Sequence, residues 1–140
     1  MNVRALRATA AARIAALALL VMLAGAAAAS AQQLNCTPSP CACGTATISI
    51  DPNLTCGIVL CDPTSPTCVT FAPGDHLVDC GQLNRYQIRD CHGTLHCLPK
   101  LGTCIRCICA RTGCCVDICM QSSVAECLIL KVTPSLCLGC

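Results

Sequence analysis

The sequence predicts a small disulfide-rich fold of short β-strands and loops with one C-terminal helix. Three observations lead to this class. All eighteen cysteines lie between Cys36 and Cys140, a density typical of a disulfide scaffold. The whole chain of 140 residues has one Phe, one Tyr and no Trp, so the side chains that usually bury most apolar area are almost absent. Its beginning also has the pattern of an export signal.

Residues 1–31 predict a cleaved signal peptide. A basic leader is followed by an uncharged segment from Ile14 to Ala31, which ends in the small residues ASA. Signal peptidases accept such residues, so Gln32 is the expected first residue of the mature chain. The alternative is an uncleaved anchor, because the uncharged run reaches the lower limit of a membrane span. No later apolar run is long enough to span a membrane, so the mature protein, residues 32–140, is expected to be secreted.

The predicted export decides how the cysteines are interpreted. Closely spaced thiols pair in an oxidising compartment, whereas the same spacing in the cytosol indicates metal binding. Eighteen is an even number, so nine bridges with no thiol left over are expected. The predicted half-cystines are Cys36, Cys41, Cys43, Cys56, Cys61, Cys68, Cys80, Cys91, Cys97, Cys104, Cys107, Cys109, Cys114, Cys115, Cys119, Cys127, Cys137 and Cys140.

Some pairings are excluded by geometry. Two cysteines that are adjacent, or separated by one residue, do not readily bond to each other without strain. Three such pairs should therefore reach different partners and crosslink separate segments of the chain: Cys41/Cys43, Cys107/Cys109 and Cys114/Cys115.

Residues 43–68 and 80–104 predict two tandem stapled modules. Both begin Cys-Gly, and both end in the pattern C-x-P-x-x-x-T-C. Each module is too small to fold without its bridges. Residues 105–140 do not match this pattern and would form a distinct cap.

Local patterns predict strands early in the chain and a helix late in it. The β-branched alternation of residues 45–51 indicates a strand that ends at a Pro-Asn turn, and residues 68–72 and 85–89 also suit short strands. Near the end, Gly113 and Pro134 bracket apolar residues that recur at helical spacing. These residues are Val116, Met120, Val124 and Cys127.

The stretch DCHGTLHC, residues 90–97, contains a possible metal site. If Cys91 and Cys97 were free, His92 and His96 could complete a tetrahedral zinc or copper site with them. The favoured interpretation is a surface loop whose two cysteines are bridged. No cofactor or metal is therefore expected, and extracellular metal binding through His92 and His96 is an alternative function.

The stretch CLPKLGTC suggests protease inhibition as another alternative. A disulfide-closed loop around Lys100 could present a preorganised substrate mimic to a serine protease, with Arg106 as a second basic candidate. Two tandem loops of this kind are similar in arrangement to Bowman–Birk inhibitors. The loops lack the serine after the primary residue and the Pro-Pro of that family.

The function expected from the sequence is non-catalytic binding outside the cell, in the manner of a defence or effector molecule. An extracellular protein or a cell-surface ligand is the expected partner. Nucleic acid is not expected, because six Lys and Arg against seven Asp and Glu leave the mature chain, residues 32–140, near neutral. Catalysis is not expected either, because the histidines lie in predicted loops without a pocket. Asn35 and Asn53 begin glycosylation sequons whose use depends on the host.

Overall fold

Nine β-strands in two sheets make up about half of residues 35–65 and 67–140, the residues that the computed structural model describes. The predicted signal peptide, residues 1–31, and the expected terminus at Gln32 lie outside the described residues. The strands are β1 (Thr45–Ile50), β2 (Ile58–Asp62), β3 (Thr67–Phe71), β4 (Gly74–Asp79), β5 (Gln87–Arg89), β6 (Leu95–Cys97), β7 (Cys104–Arg111), β8 (Cys114–Ser122) and β9 (Leu128–Pro134). A short helix, α1 (Cys80–Arg85), connects β4 to β5.

The larger sheet has the strand order β4-β1-β9-β8-β7, and the smaller one has the order β3-β2-β5-β6. Strands β1 and β9 are parallel, and every other named pair is antiparallel. The last strand, β9, thus lies in the middle of the larger sheet, beside the first strand, β1. This pairing joins residues that are about eighty positions apart in the sequence.

Aliphatic residues at every second position of the strands form the core. Side chains of a strand alternate between its two faces, so this spacing places one face of each strand inside. Both sheets contribute to a single cluster of buried side chains, and this aliphatic core accounts for the scarcity of aromatic residues. Its largest fully buried members are Ile48, Ile50, Ile58, Leu60, Leu83, Ile88, Val116, Ile118, Met120, Leu128, Leu130 and Val132.

The predicted C-terminal helix does not form within the described residues. Cys114–Ser122 are strand β8, and only a three-residue 3-10 turn follows, at Val124–Glu126. Val116 and Met120 fit a helical period, but Ile118 between them is also fully buried, as the period of a strand requires. Val124, which the helix would have buried, is 95% exposed.

The earlier strand predictions agree with the structure. Residues 45–51 contain β1, and Pro52 and Asn53 form the turn after it. Residues 68–72 overlap β3, and residues 85–89 contain β5 together with the last residue of α1. No helix among the described residues has both the length and the apolar content needed to cross a membrane.

Sixteen cysteines form eight bridges, and the expectation of nine is wrong for the remaining two. Cys91 and Cys115 are free thiols. The bridges are Cys36–Cys97, Cys41–Cys80, Cys43–Cys127, Cys56–Cys114, Cys61–Cys68, Cys104–Cys119, Cys107–Cys137 and Cys109–Cys140. Two of the three closely spaced pairs reach different partners as predicted, Cys41/Cys43 and Cys107/Cys109. In the third pair Cys114 bonds to Cys56, while Cys115 stays free.

The two predicted modules do not share a bridge pattern. Cys61–Cys68 closes the β2–β3 hairpin in the first module. The corresponding cysteines of the second module, Cys97 and Cys104, bond elsewhere, to Cys36 and Cys119. The spacing common to residues 43–68 and 80–104 is therefore a property of the sequence, and the repeat stays a prediction.

Candidate functional site

The turn between β5 and β6 is organised by the carboxylate of Asp90. Its Oδ1 accepts hydrogen bonds from the backbone N–H groups of His92 and Thr94, both at 2.9 Å. Its Oδ2 lies 2.9 Å from Nε2 of His96, on the returning strand. Gly93 has a φ of 82°, in the left-handed region that glycine tolerates best. We call residues 90–94 the Asp90 turn.

Two opposing effects act on the pKa of Asp90. Burial acts to raise it, because a charged carboxylate is less well solvated inside the protein. The hydrogen bonds from His96 and from the backbone of Thr94 and His92 outweigh burial, so the pKa lies below its ordinary value. The carboxylate is thus ionised at neutral pH, and it can hold the turn and the imidazole of His96 in place.

The Asp90 turn places a free thiol beside a disulfide. The backbone N–H of Cys91 donates a 2.7 Å hydrogen bond to the carbonyl of Cys109 in β7. The Sγ atoms of Cys91 and Cys109 and one ring nitrogen of His92 all lie within 4.8 Å of one another. Cys109 is bonded to Cys140, so its sulfur is half of a disulfide.

The second free thiol lies on the other side of Cys109. Cys115 in β8 is directly opposite Cys109 in the ladder between β7 and β8. The two other directly opposed cysteine pairs of the described strands are bonded: Cys61–Cys68 and Cys104–Cys119. We call Cys91, Cys109, Cys115 and Cys140 the sulfur cluster.

An open cavity of about 300 Å³ adjoins the sulfur cluster. The cavity is open, so solvent and small reagents can reach the residues that line it. The residues around it include Asp90, His92, His96, Cys109, Cys115 and Cys140. Both thiols are partly buried, while the imidazole-bearing residue His92 is exposed.

The structure separates the four residues that the sequence suggested as metal ligands. His96 is held by Asp90, and Cys97 is bonded to Cys36. Only Cys91 and His92 stay together, and the third sulfur near them belongs to Cys109. The sequence contained no signal for the role of Cys109, since its neighbours come from β5–β6, β8 and the C-terminus.

Lys100 lies in a tight turn. Its carbonyl accepts hydrogen bonds from the backbone N–H of Thr103 at 2.9 Å and from the Thr103 hydroxyl at 2.6 Å. The next residue but one, Gly102, has a φ of 79° and donates its N–H to the carbonyl of Met120 at 2.8 Å. A substrate mimic must offer the carbonyl of its primary residue to the oxyanion hole of the protease. This carbonyl is already engaged, which disfavours inhibition at Lys100.

The ends of the Lys100 loop are not bonded to each other, so the predicted disulfide-closed loop does not form. Cys97 bonds to Cys36 and Cys104 bonds to Cys119. Arg106 lies within β7 and forms an ion pair with Asp117 at 3.2 Å. Arg106 lies at an irregularity in the pairing of β7 with β8. The guanidinium that a protease would have to bind is paired with Asp117, which does not favour inhibition at Arg106 either.

Both sequons are accessible. Asn35 and Asn53 are exposed, and Asn53 lies in the turn after β1 with its N–H bonded to the carboxylate of Asp51. Cys36, inside the first sequon, is bonded to Cys97.

The last six residues are held on the sheet while their leucines face solvent. Leu136 and Leu138 are both 100% exposed. The cysteines beside them are anchored to β7 by the Cys107–Cys137 and Cys109–Cys140 bridges. We call residues 135–140 the C-terminal segment. No family model, curated protein or solved structure matches this chain.

Proposed function

We propose that this protein is a secreted, non-catalytic binding protein, and that the C-terminal segment is the part that contacts its partner. The observation that carries the proposal is the complete exposure of Leu136 and Leu138 on a segment with two disulfide anchors. Large apolar side chains in solvent-facing positions are the ones that gain most from a partner.

The energetics support this choice. Full burial of a leucine side chain contributes about 1.5–3 kcal/mol. An anchored segment loses less conformational freedom on binding than a loose one, so more of this energy is kept as affinity. An extracellular protein with an apolar groove is the proposed partner, and a defence or effector role is part of the same proposal.

The eight bridges support a place outside the cell. Disulfides persist in oxidising compartments and are rare in the cytosol. They also restrict local opening, which protects a binding protein against extracellular proteases. A secreted product whose mass corresponds to residues 32–140 is the expected result of expression with the full leader. A secreted or cell-bound product that retains residues 1–31 would contradict the predicted cleavage.

Binding can be tested with paired variants. The mature protein is labelled and offered to an array of extracellular proteins, and saturable binding is measured for wild type and for the double variant Leu136→Ser/Leu138→Ser. Loss of two buried leucines should weaken Kd at least about tenfold, since 1.4 kcal/mol corresponds to a factor of ten. The matched control is Leu77→Ser/Val124→Ser, which changes two residues that are 77% and 95% exposed elsewhere.

The control variant should bind like the wild type. Equal weakening by both double variants would mean that the C-terminal segment is not the contact. Binding to cells but to no protein of the array would replace the proposed protein partner by another cell-surface ligand.

A further inference from the structure

The sulfur cluster combines the three groups that thiol–disulfide exchange requires. Exchange needs a thiolate, a disulfide sulfur within its reach and a group that takes up the thiol proton. Cys91 supplies the thiol, Cys109 the disulfide sulfur and His92 a ring nitrogen, all within 4.8 Å. The N–H of Cys91 is bonded to the carbonyl of Cys109, so the two residues are held side by side.

We propose that Cys91, His92 and the Cys109–Cys140 bridge form a thiol–disulfide exchange site. The Cys91 thiolate attacks Sγ of Cys109, a Cys91–Cys109 bond forms, and the Cys109–Cys140 bond breaks. Cys140 leaves as a thiolate. His92 takes the proton from Cys91, and a proton returns to Cys140, so one thiol and one disulfide are present before and after the step. No external oxidant or reductant is needed.

Cys109 is the sulfur under attack because it lies between the Asp90 turn and strand β8. Cys91 adjoins it from the Asp90 turn, and Cys115 is opposite it in the neighbouring strand. Its partner Cys140 lies in the C-terminal segment, outside the strands of the sheet. The Cys107–Cys137 bridge does not take part and keeps the rest of the C-terminal segment on β7.

Exchange fits the same atoms better than metal binding does. A metal at Cys91, His92 and Cys109 would need thiolates, because the thiolate is the form of cysteine that binds metals. Cys109 has no thiolate while it is bonded to Cys140. The Cys91 thiol can react directly with the disulfide sulfur of Cys109, so this arrangement favours exchange over metal binding.

The site can be tested by timed alkylation at pH 7. The secreted protein is incubated in its native state, samples are trapped with N-ethylmaleimide, and the labelled cysteines are identified by mass spectrometry of peptides. Before exchange the label should be on Cys91 and Cys115. With time, label should appear on Cys140 and decrease on Cys91, while Cys115 stays labelled.

Variants assign the roles. Cys91→Ser removes no bridge and should abolish labelling of Cys140, whereas Cys115→Ser should leave it unchanged. His92→Gln should slow the appearance of labelled Cys140 by about tenfold or more, because a positioned base contributes at least that much to proton transfer. His76→Gln is the matched control, since His76 lies in β4 and contacts the carbonyl of Ala72.

Three outcomes would overturn the proposal. Cys140 could stay unlabelled in the wild type while Cys91 reacts, or it could be labelled equally in Cys91→Ser. The third is a protein in which no cysteine is labelled and a ninth bridge is present. All readouts are labelling patterns, so they are independent of whether the C-terminal segment binds a partner.

Discussion

Asp62 and Asp90 each organise a turn, and the groups around the two carboxylates differ. Asp62, at the end of β2, is 4% exposed and accepts hydrogen bonds from the N–H and hydroxyl of Thr64 and from Gln82. Arg85 completes its surroundings at 3.4 Å. Asp90 accepts hydrogen bonds from two backbone N–H groups where Asp62 accepts one, and its side-chain partner is His96.

The difference extends to the neighbouring sulfur atoms. Beside Asp62, Cys61 is bonded to Cys68 across the hairpin. Beside Asp90, Cys91 is free. Similar turns thus adjoin a bonded cysteine at Asp62 and a free thiol at Asp90. We call the Asp62 carboxylate with Thr64, Gln82 and Arg85 the Asp62 clamp.

The largest expected effect comes from separating β2 from β3 at the end of their hairpin that lies opposite Asp62. A Cβ added at Gly57 would lie 1.9 Å from the carbonyl oxygen of Phe71, so the backbone must shift. We expect Gly57→Ala to lower the free energy of unfolding by about 3 kcal/mol, the upper part of the range for overpacking. Urea unfolding with intact bridges measures it.

Gly44→Ala is the control for this prediction, because nothing lies within 4 Å of the added Cβ. It should change the free energy of unfolding by less than about 0.5 kcal/mol. If the two alanine variants were equally stable, the close approach of Gly57 to Phe71 would be wrong.

Replacing each aspartate compares the two turns directly. Asp62→Asn replaces one oxygen of a buried carboxylate by an amide NH₂ group, so a donor would face the donors of Gln82 and Arg85, which should cost about 1–3 kcal/mol. Asp90→Asn should cost less, because its turn is more exposed. Unfolding curves of both variants test this order. A larger loss of unfolding free energy in Asp90→Asn would mean that the Asp90 turn contributes more to stability than the Asp62 clamp.

How much of this could be predicted from the sequence depends on how local each feature is. The strand at residues 45–51 was predicted correctly, because β-branched alternation and the following turn are local signals. Strand β8 was mistaken for a helix, because Val116 and Met120 satisfy both periods. Pairing with β7 and β9 makes this segment a strand, and such pairing joins separate segments, so a local pattern does not show it.

The sulfur cluster could not be predicted for a related reason. An even number of cysteines indicates complete pairing, and nothing local distinguishes Cys91 or Cys115 from the bonded sixteen. Which sulfur atoms meet depends on strand register and on the position of the C-terminal segment. The sequence did indicate that Cys107 and Cys109 must reach different partners, because that restriction is local.

Acid should lower the contribution of both carboxylates to the stability of the fold. The pKa of Asp62 is lowered, first by the hydrogen bond from the Thr64 hydroxyl against the opposing effect of burial, and the pKa of Asp90 is also lowered. A depressed carboxyl pKa contributes stability above the unfolded value of about 4, and this contribution is lost as pH falls through the folded value. The stability difference between wild type and each Asn variant should therefore be complete at pH 6 and shrink below about pH 4.

Urea unfolding at pH 6, 5, 4 and 3 checks the acid prediction for both variants. An increase of either difference toward low pH would mean that the carboxylate is not the favoured form in the folded protein.

The smallest effects concern the individual partners of Asp62. The side chain of Arg85 is 48% exposed, and exposed ion pairs contribute about 0–1 kcal/mol. The hydrogen bond from the Thr64 hydroxyl is the strongest influence on the pKa of Asp62, and Arg85 the weakest. We therefore expect Thr64→Val, which keeps the shape of the side chain, to lower stability more than Arg85→Gln does. A larger loss of stability in Arg85→Gln would mean that the Asp62 clamp depends on its ion pair. The two turns would then differ mainly in their charged partners, Arg85 beside Asp62 and His96 beside Asp90.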